Sequence, residues 1–573
     1  MKRFEPFGFL RDLASGWDVA AFIVVIGLVA FLGEAAHGVF APLVQLSVQP
    51  LSLDPIHLPE YAARTTFRML VALFLSLVFT LTYATWAAKS ARAGKLLVPI
   101  LDVLQSVPIL GFISITSVFF LSLAPGRVLG AEFVAIFAIF TSQAWNMAFS
   151  FYQSLRTIPT ELSEAADSFR LSPWMRFWRL EVPFGMPALV WNMMLSMSGG
   201  WFFVVASESI SVGHTSVALP GVGSYIALAI EQRNLHAIGW AILAMLIVIL
   251  LYDQLLFRPL VAWADRFRVE QEPGVRVPDS WALTMMRRSR LIQAATVAFH
   301  AAVRWTSRAV KRTDTLEVDA ASVGAKRSQD LFWVLLVAAL VVLALWHLVA
   351  GLITTTPLRE ALHVAVLATI TMLRVFLLIA LASVLWVPVG IWVGMRPRVA
   401  QFVQPVAQFM AAFPANLLFP IAVYGIVTWK LNPDVYLSPL MILGTQWYIL
   451  FNVIAGASAI PSEMRYVTAN LGIKGWLWWR KVALPAVLPF YVTGAITASG
   501  GSWNAAQVAE LATWGSSEVR ARGLGSYIAD AAVAGNFHRI VLGVGVMSLF
   551  VVIINRLFWR PLYYYAERKY RLT

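Results

Sequence analysis

Apolar runs of about 20 residues recur along this 573-residue chain, and most of its charge falls in the segments between them. That spacing leaves few folds open, because such a run crosses a bilayer as a helix and keeps its backbone hydrogen bonds within itself. The alternating pattern of a barrel strand is absent. A composition of 59% hydrophobic and 13% charged residues, with a mean hydropathy of +0.72, exceeds what a water-soluble domain needs to fill its core. The expected class is therefore all-α integral membrane. A net charge of +14 would suit nucleic acid, but the Lys and Arg residues sit in short loops on one side of the expected topology, so membrane orientation accounts for them and no nucleic-acid partner is expected. The absence of cysteine excludes disulfides, thiolate metal sites and Cys nucleophiles together.

Helices are expected near 17–44, 62–88, 96–124, 129–155, 184–210 and 236–260, and again near 329–352, 361–395, 400–429, 437–457, 486–512 and 538–560. The basic start, with Lys2, Arg3 and Arg11, leads into the apolar run Val19 to Leu32 and reads as a retained first helix rather than a cleaved signal. Placing the N-terminus in the cytoplasm gives the inside loops Lys89, Arg92, Lys95, Arg156, Arg170, Arg176, Arg179, Arg396, Arg398, Arg465, Lys474, Arg480 and Lys481, so both termini are expected inside. Arg127, Arg520 and Arg522 are the outside exceptions. The expected division is a first transmembrane unit over 1–262, a basic cytoplasmic linker over 263–328 and a second unit over 329–573. Within the linker, Trp281 to Val310 has a basic helical face that suits either an interfacial helix on anionic lipid or a solvated tether.

The halves repeat each other. Trp145, Pro159, Pro183, Pro187, Trp201, Glu208, Gly223, Tyr225, His236, Arg258 and Pro259 meet Trp447, Pro461, Pro485, Pro489, Trp503, Glu510, Gly525, Tyr527, His538, Arg560 and Pro561 at one offset (447 − 145 = 302). Upstream, Arg68, Pro99 and Pro108 meet Arg374, Pro405 and Pro414 at a second (405 − 99 = 306), so the second copy is shorter by four residues between the two blocks. An even number of helices in each copy inserts both with the same orientation, giving a parallel pseudo-dimer about an axis normal to the membrane and a shared central pathway.

Between the fourth and fifth helices of the first unit lie Glu164-Ala165-Ala166, Ser172-Pro173, Phe177 and Val182-Pro183, with Pro159, Pro173 and Pro183 placed as breaks between rigid pieces. This segment resembles the cytoplasmic loop of the permeases of binding-protein-dependent type I ABC importers, which carries Glu-Ala-Ala, a Gly and a hydrophobic-Pro pair. The copies depart from the pattern in opposite ways: the first has Arg170 at the Gly position, while the second has Tyr466-Val467-Thr468 but keeps Gly472 and Leu484-Pro485. Thr66-Phe67-Arg68 and Met372-Leu373-Arg374, the spans Pro99 to Pro108 and Pro405 to Pro414, and Trp201 to Glu208 with Gly221 to Ile226, echoed by Trp503 to Glu510 with Gly523 to Ile528, are similar to the nitrate, sulfonate, taurine and bicarbonate permeases of that group.

The resemblance implies a fused permease of about twelve transmembrane helices in the bacterial inner membrane, moving a small solute, an anion such as nitrate, a sulfonate or bicarbonate, by alternating access. It implies two ATPase subunits that hold the loops near 158–182 and 460–484 and bind ATP and Mg, and a periplasmic substrate-binding protein. Coupling residues carried over by motif are Glu164, Ala165, Ala166, Arg170 and Pro183, with Tyr466, Gly472 and Pro485. The chain itself has no GxxxxGK[ST] loop, so it is expected to be no enzyme and to hold no cofactor; the glycines of Gly221 to Ile226 are read as permitting a tight turn beside the pore mouth.

Charged groups within the membrane are costly and mark protein-facing or hydrated positions. Arg68 and Arg374 are expected either to lend positive potential to an anion path, or to snorkel to the outer headgroups or meet a structural partner; Glu208 and Glu510 to pair with them, gate the mouth or end a helix; and Asn146, Gln143, Gln446, Asn452, Ser207, Asn504 and Gln507 to line a hydrated cavity or to hydrogen-bond between helices, with Asn146, Ser207 and Asn504 counted with the charged residues as the candidate substrate path. His236 and His538 open helices, and no ligand cluster implies a metal. The competing reading is an ion-coupled secondary transporter or channel built from repeats.

Overall fold

The computed structural model describes residues 51–105, 109–212, 215–267, 281–288 and 357–570, with residues 26, 27, 33 and 42 beside them. The helices expected near 17–44 and 329–352 and most of the 263–328 linker lie outside the described residues, apart from those four.

The first unit comprises α1 (Leu58–Lys89), α2 (Ala91–Leu104), α3 (Ile109–Leu123), α4 (Val128–Arg156), α5 (Thr160–Ser168), α6 (Pro173–Glu208), the hairpin β1 (Ser209–Val212) and β2 (Thr215–Ala218), α7 (Val222–Glu231) and α8 (Leu235–Ala264). The short α9 (Trp281–Arg288) follows. The second unit repeats the order: α10 (Leu358–Gly394), α11 (Pro397–Ala412), α12 (Ala415–Thr428), α13 (Pro433–Leu443), α14 (Gln446–Ser458), α15 (Ser462–Asn470), α16 (Gly475–Ala509), β3 (Leu511–Trp514), β4 (Ser517–Arg520), α17 (Leu524–Val533) and α18 (Phe537–Tyr570). Among the described residues, seven helices are long and apolar enough to cross a membrane, or eight when the pair α13 and α14, bent by 45°, is taken as one span.

Three segments read from sequence as single helices are broken. The stretch near 96–124 is α2 and α3, that near 400–429 is α11 and α12, and that near 437–457 is the bent pair. At 413–414 the cause is plain: Pro414 has no amide proton and holds Phe413 in an extended conformation (φ −70°, ψ 128°), which a continuing helix cannot use. The expectation that Pro183 breaks a rigid piece also fails, since α6 runs unbroken from Pro173 to Glu208. It contains a π-turn at Phe177–Glu181. Further π-turns occupy Asp253–Phe257, Trp479–Ala483 and Asn555–Trp559, and each ends two residues before a proline, at Pro183, Pro259, Pro485 and Pro561. The wider turn accommodates the ring and the missing N–H without ending the helix. These turns, like the hairpins, recur at the 302-residue offset (479 − 177; 511 − 209), so the duplication extends to local backbone geometry.

A buried apolar cluster runs through both units, with the matched Trp201 and Trp503 almost fully enclosed. Outward, α10 presents Leu362, Val366, Leu373, Leu377 and Val384 on one face, each more than half exposed. Their helical spacing makes a continuous apolar strip of the kind that faces lipid.

Candidate functional site

The two loops expected to couple to a motor have one backbone plan. After α5, Arg170 adopts φ +48° and donates its N–H to Asp167 O at 2.9 Å, while Leu171 donates to Ala166 O at 3.1 Å. After α15, Gly472 adopts φ +63° and donates to Ala469 O at 3.1 Å, while Ile473 donates to Thr468 O at 2.9 Å. Both are helix ends closed by a left-handed residue that satisfies the last carbonyls. So the position where the first copy lacks glycine still requires glycine's conformation. Glu164 and Ala165 are exposed and Ala166 is buried beneath them, while Pro183 and Pro485 lie half-buried at the base of the long helices. The loops differ in chemistry. In the first, Arg176 reaches Asp167 (2.8 Å) and Glu181 (3.6 Å), and Glu181 reaches Lys89 (2.8 Å), tying the loop to the end of α1. The matching second-copy positions are Trp478, Ala469 and Ala483, which carry no charge, and the second loop exposes Tyr466 and Trp476 where the first has Glu164 and the half-buried Trp174, while Phe169 and Leu471 are exposed in both.

At the far end of α6 and α16, away from these loops, lie two buried charge clusters. Glu208 ends α6, where it accepts from Arg68 Nη1 (2.7 Å), Thr65 Oγ1 (2.7 Å) and the amide of Gly223 (2.6 Å). Thr65 Oγ1 in turn accepts the Val222 amide at 3.0 Å. Glu208 therefore supplies negative charge at the first turn of α7, where unpaired amides await an acceptor. Arg68 uses its remaining edge on Glu132 of α4, with Nε and Nη2 at 2.6 and 2.7 Å. The second unit repeats the anchor: Glu510 accepts from Arg374 (3.2 Å), Thr371 (2.8 Å) and the amides of Gly525 (2.7 Å) and Ser526 (3.3 Å), and Thr371 accepts the Leu524 amide (2.9 Å). Here the third partner is Asp434 of α13, 2.8 Å from Arg374.

This geometry bears on two expectations. Arg68 faces two carboxylates inside protein and Arg374 is matched in the same way, so neither offers uncompensated positive charge to a path; the structural-partner alternative is what is seen. The glycines of Gly221-Val222-Gly223 supply no left-handed turn residue: Gly221, at the bend that leads into α7, is extended (φ 175°, ψ 171°). They permit close approach: a Cβ at Gly221 would collide with the Glu208 carboxylate and one at Gly223 with the Val205 carbonyl, and Gly523 and Gly525 meet Glu510 and Ala506 in the same way. Sequence reading missed Glu132, Asp434, Thr65 and Thr371. The signal was present, since Glu132 and Asp434 share the offset of 302 (434 − 132) and the threonines that of 306 (371 − 65).

Between the units lies a cavity of about 760 Å³, walled by both. Its polar lining includes Gln105, Asn146, Asn192, Thr445, Thr497 and Asn504, and its aromatic walls include Trp145, Phe202, Phe203 and Trp503. Among the described residues no carboxylate lines it, and Arg560 is its one charged lining residue. Asn146 and Asn504 are thus brought to the cavity, whereas Arg68, Arg374, Ser207, Glu208 and Glu510 are not. Asn146 accepts from Gln105 Nε2 (2.8 Å), and Asn504 Oδ1 accepts the Ile109 amide of the opposite unit (2.8 Å). On the other side Asn416 Nδ2 donates to Phe202 O (3.0 Å), and positions 202 and 504 are equivalents in the repeat (504 − 202 = 302). Each unit's long helix therefore touches the start of the other's broken helix. Gln446 accepts from Trp386 Nε1 of α10 (2.8 Å), an interhelical contact, whereas Asn452 donates to Tyr448 O (2.8 Å) within its own helix. His236 and His538 are exposed next to the capping residues Asn234 and Asn536, and no group of three potential metal ligands occurs among the described residues.

The sequence model of the binding-protein-dependent transport system inner membrane component matches twice, over residues 80–258 and 386–571. Similar proteins include the glycine betaine/proline betaine transport system permease protein ProW of Escherichia coli K12, 26% identical over 238 residues (41% of this chain, 63% of ProW). The nitrate import permease protein NrtB of Leptolyngbya laminosa is 26% identical and the bicarbonate transport system permease protein CmpB of Synechococcus elongatus 28% identical, each over 177 residues (31% of this chain, 60% of the relative). The chain thus spans about three fifths of the length of these relatives. With the family's unit matched in both halves, and with the two halves sharing hairpins, π-turns and buried clusters, the chain belongs to the inner membrane components of binding-protein-dependent transport systems, as a duplicated type I ABC importer permease.

Proposed function

We propose that the chain is the translocation pathway of an importer for a small anion, driven by two ATPase subunits that grip the loops around Glu164, Ala165, Ala166, Arg170 and Pro183 and around Tyr466, Gly472 and Pro485. A substrate-binding protein delivers solute to the mouth near the hairpins, and ATP and Mg are bound by the partner subunits. Both termini lie on the ATPase side. The observation that carries the anion reading is the lining of the inter-unit cavity: amide and hydroxyl groups, Arg560 at one end, and no carboxylate among the described residues. Such donors replace the hydration of an anion without an opposing charge. The nitrate and bicarbonate permeases among the relatives support the same class.

The chain supplies no covalent chemistry in this scheme. The motor shifts the equilibrium between cavity-open states only to the extent that it binds one of them more tightly. A specific observation favours a second reading: the half-buried Trp145 and Phe202 bring aromatic rings to the cavity of a kind that suits a quaternary ammonium group, and betaine permeases are among the relatives. The test is ATP-dependent uptake by the reconstituted complex with nitrate, bicarbonate, taurine and glycine betaine as probes. Saturable anion uptake is expected. Betaine uptake alone would move the assignment to the second reading, and uptake driven by a proton or sodium gradient without ATP would replace both with a secondary transporter.

A further inference from the structure

The units also meet at the hairpin end, where Arg233 closes α7 in a left-handed conformation (φ +55°), donating its N–H to Ile230 O (3.1 Å) while Asn234 donates to Ala229 O (2.8 Å). The tip of the second unit's hairpin docks onto this helix end. Gly515 donates its N–H to the same Ile230 carbonyl at 2.9 Å, and Arg233 Nη2 donates to Ser516 Oγ at 2.8 Å. The fit leaves no room for a side chain at Gly515: a Cβ there would collide with the Arg233 side chain, and its φ of +58° is one that glycine adopts without strain. The residue equivalent to Arg233 in the second unit is Gly535 (535 − 233 = 302), which adopts the same left-handed conformation (φ +64°) with the same pair of hydrogen bonds, from Gly535 to Ala532 O and from Asn536 to Ala531 O. The helix end needs only a left-handed residue. Arginine is the costlier choice for that conformation, and what it adds is the reach to Ser516.

The hairpin is not a free flap. Trp514, buried at its turn, packs edge-on against Tyr424 of α12 (5.5 Å), and the start of α12 carries Ala415, which lines the cavity, and Asn416, which holds Phe202 of the first unit. The hairpin tip is therefore joined to the cavity wall through Trp514, Tyr424 and the start of α12. Because α6 and α16 run the full depth from the coupling loops to the hairpins, this contact sits at the end of the bundle opposite the motor-facing loops.

We infer that Ile230, Arg233, Gly515 and Ser516 form an inter-unit latch that shuts the mouth on the hairpin side, and that each transport cycle must break it. The latch positions the units and does not touch solute. The inference rests on the ATP-driven importer reading. Since the natural chain has no cysteine, an Arg233→Cys, Ser516→Cys double variant, purified with its ATPase subunits and reconstituted, is bridged with a short bis-methanethiosulfonate reagent. ATP hydrolysis is expected to fall by about tenfold on bridging and to return with dithiothreitol, with neither single-cysteine variant changing its rate when the reagent is added, because a locked latch denies the motor its second state. An unchanged rate at complete bridging overturns the latch. Absence of any ATPase activity in the unbridged complex would instead sink the importer reading beneath it. Arg233→Gly keeps the helix end as Gly535 does and removes only the tie; basal ATP hydrolysis is expected to rise by about threefold, and an unchanged rate would also overturn the inference.

Discussion

Arg68 and Arg374 began as one residue in one unit, and each still binds the glutamate that ends a long helix and caps the next one. Their third partners differ. Arg68 is about 1% exposed and holds the equally enclosed Glu132 through two hydrogen bonds from the second turn of the unbroken helix α4, so α1, α4 and α6 are fixed together. Arg374 is 12% exposed and holds, by one bond, an aspartate that is 39% exposed, sits in the first turn of a bent helix pair and also accepts the Arg522 amide (2.7 Å). The duplication kept the vertical anchor in both copies and loosened the lateral one in the second. Since a buried charge pair is costly to break and an exposed one is not, motion at the hairpin end is cheaper in the second unit, the unit whose hairpin reaches across to Arg233.

The largest test of that comparison removes the arginines. Arg68→Met leaves two buried carboxylates without a cation and is expected to cost about 3–5 kcal/mol, enough to abolish accumulation of folded protein. Arg374→Met is expected to cost about 2 kcal/mol, because Asp434 can turn to water while Glu510 keeps Thr371 and two amides. Equal losses of thermal stability in detergent would break the comparison. Neutralising the third partners sharpens it: Glu132→Gln should cost about 2 kcal/mol for a charge-assisted pair in a dry site, and Asp434→Asn under about 1 kcal/mol. The measurement is the midpoint of thermal unfolding of each variant.

The glycines test the part said to be shared. Gly223→Ala and Gly525→Ala each push a methyl into a helix carbonyl, that of Val205 or of Ala506, so each is expected to cost about 1–3 kcal/mol and the two should agree. A much milder effect in one unit would show that its anchor is not equivalent.

The repeated charges were legible in the sequence because a duplicated chain supplies its own comparison: Arg68 with Arg374 and Glu208 with Glu510 stood out at fixed offsets. Glu132 with Asp434 was equally visible at the same offset. It passed unread because glutamate and aspartate differ in name, although their chemistry is one. The roles were harder to read. Whether an intramembrane arginine faces solute or carboxylate depends on which helices adjoin it, and a one-dimensional pattern carries no record of that. Helix breaks at 413–414 followed from Pro414, yet π-turns before Pro183, Pro259, Pro485 and Pro561 kept those helices continuous, because long-range packing decides whether a proline ends a helix or is absorbed. The latch between Arg233 and Ser516 joins residues 283 positions apart and leaves no local trace.

The smallest expected effect lies at the coupling loops and has opposite signs in the two units. Arg170 and Gly472 hold the same left-handed position, so Arg170→Gly relieves a conformation that a Cβ disfavours, while Gly472→Ala imposes it. Each change should be worth about 0.5–1 kcal/mol, stabilising in the first unit and destabilising in the second, read as protection of the Thr160–Ser168 and Ser462–Asn470 helices in hydrogen exchange. The first loop has ion pairs from Arg176 and Lys89 to hold it when its cap is altered, and the second has none at the matching positions, so the loss at Gly472 should spread into the neighbouring turn while the gain at Arg170 stays local. If both changes moved exchange in the same direction, the shared backbone plan would not be what sets the stability of these loops, and the division between an ion-tied first unit and a looser second one would have to rest on the buried clusters alone.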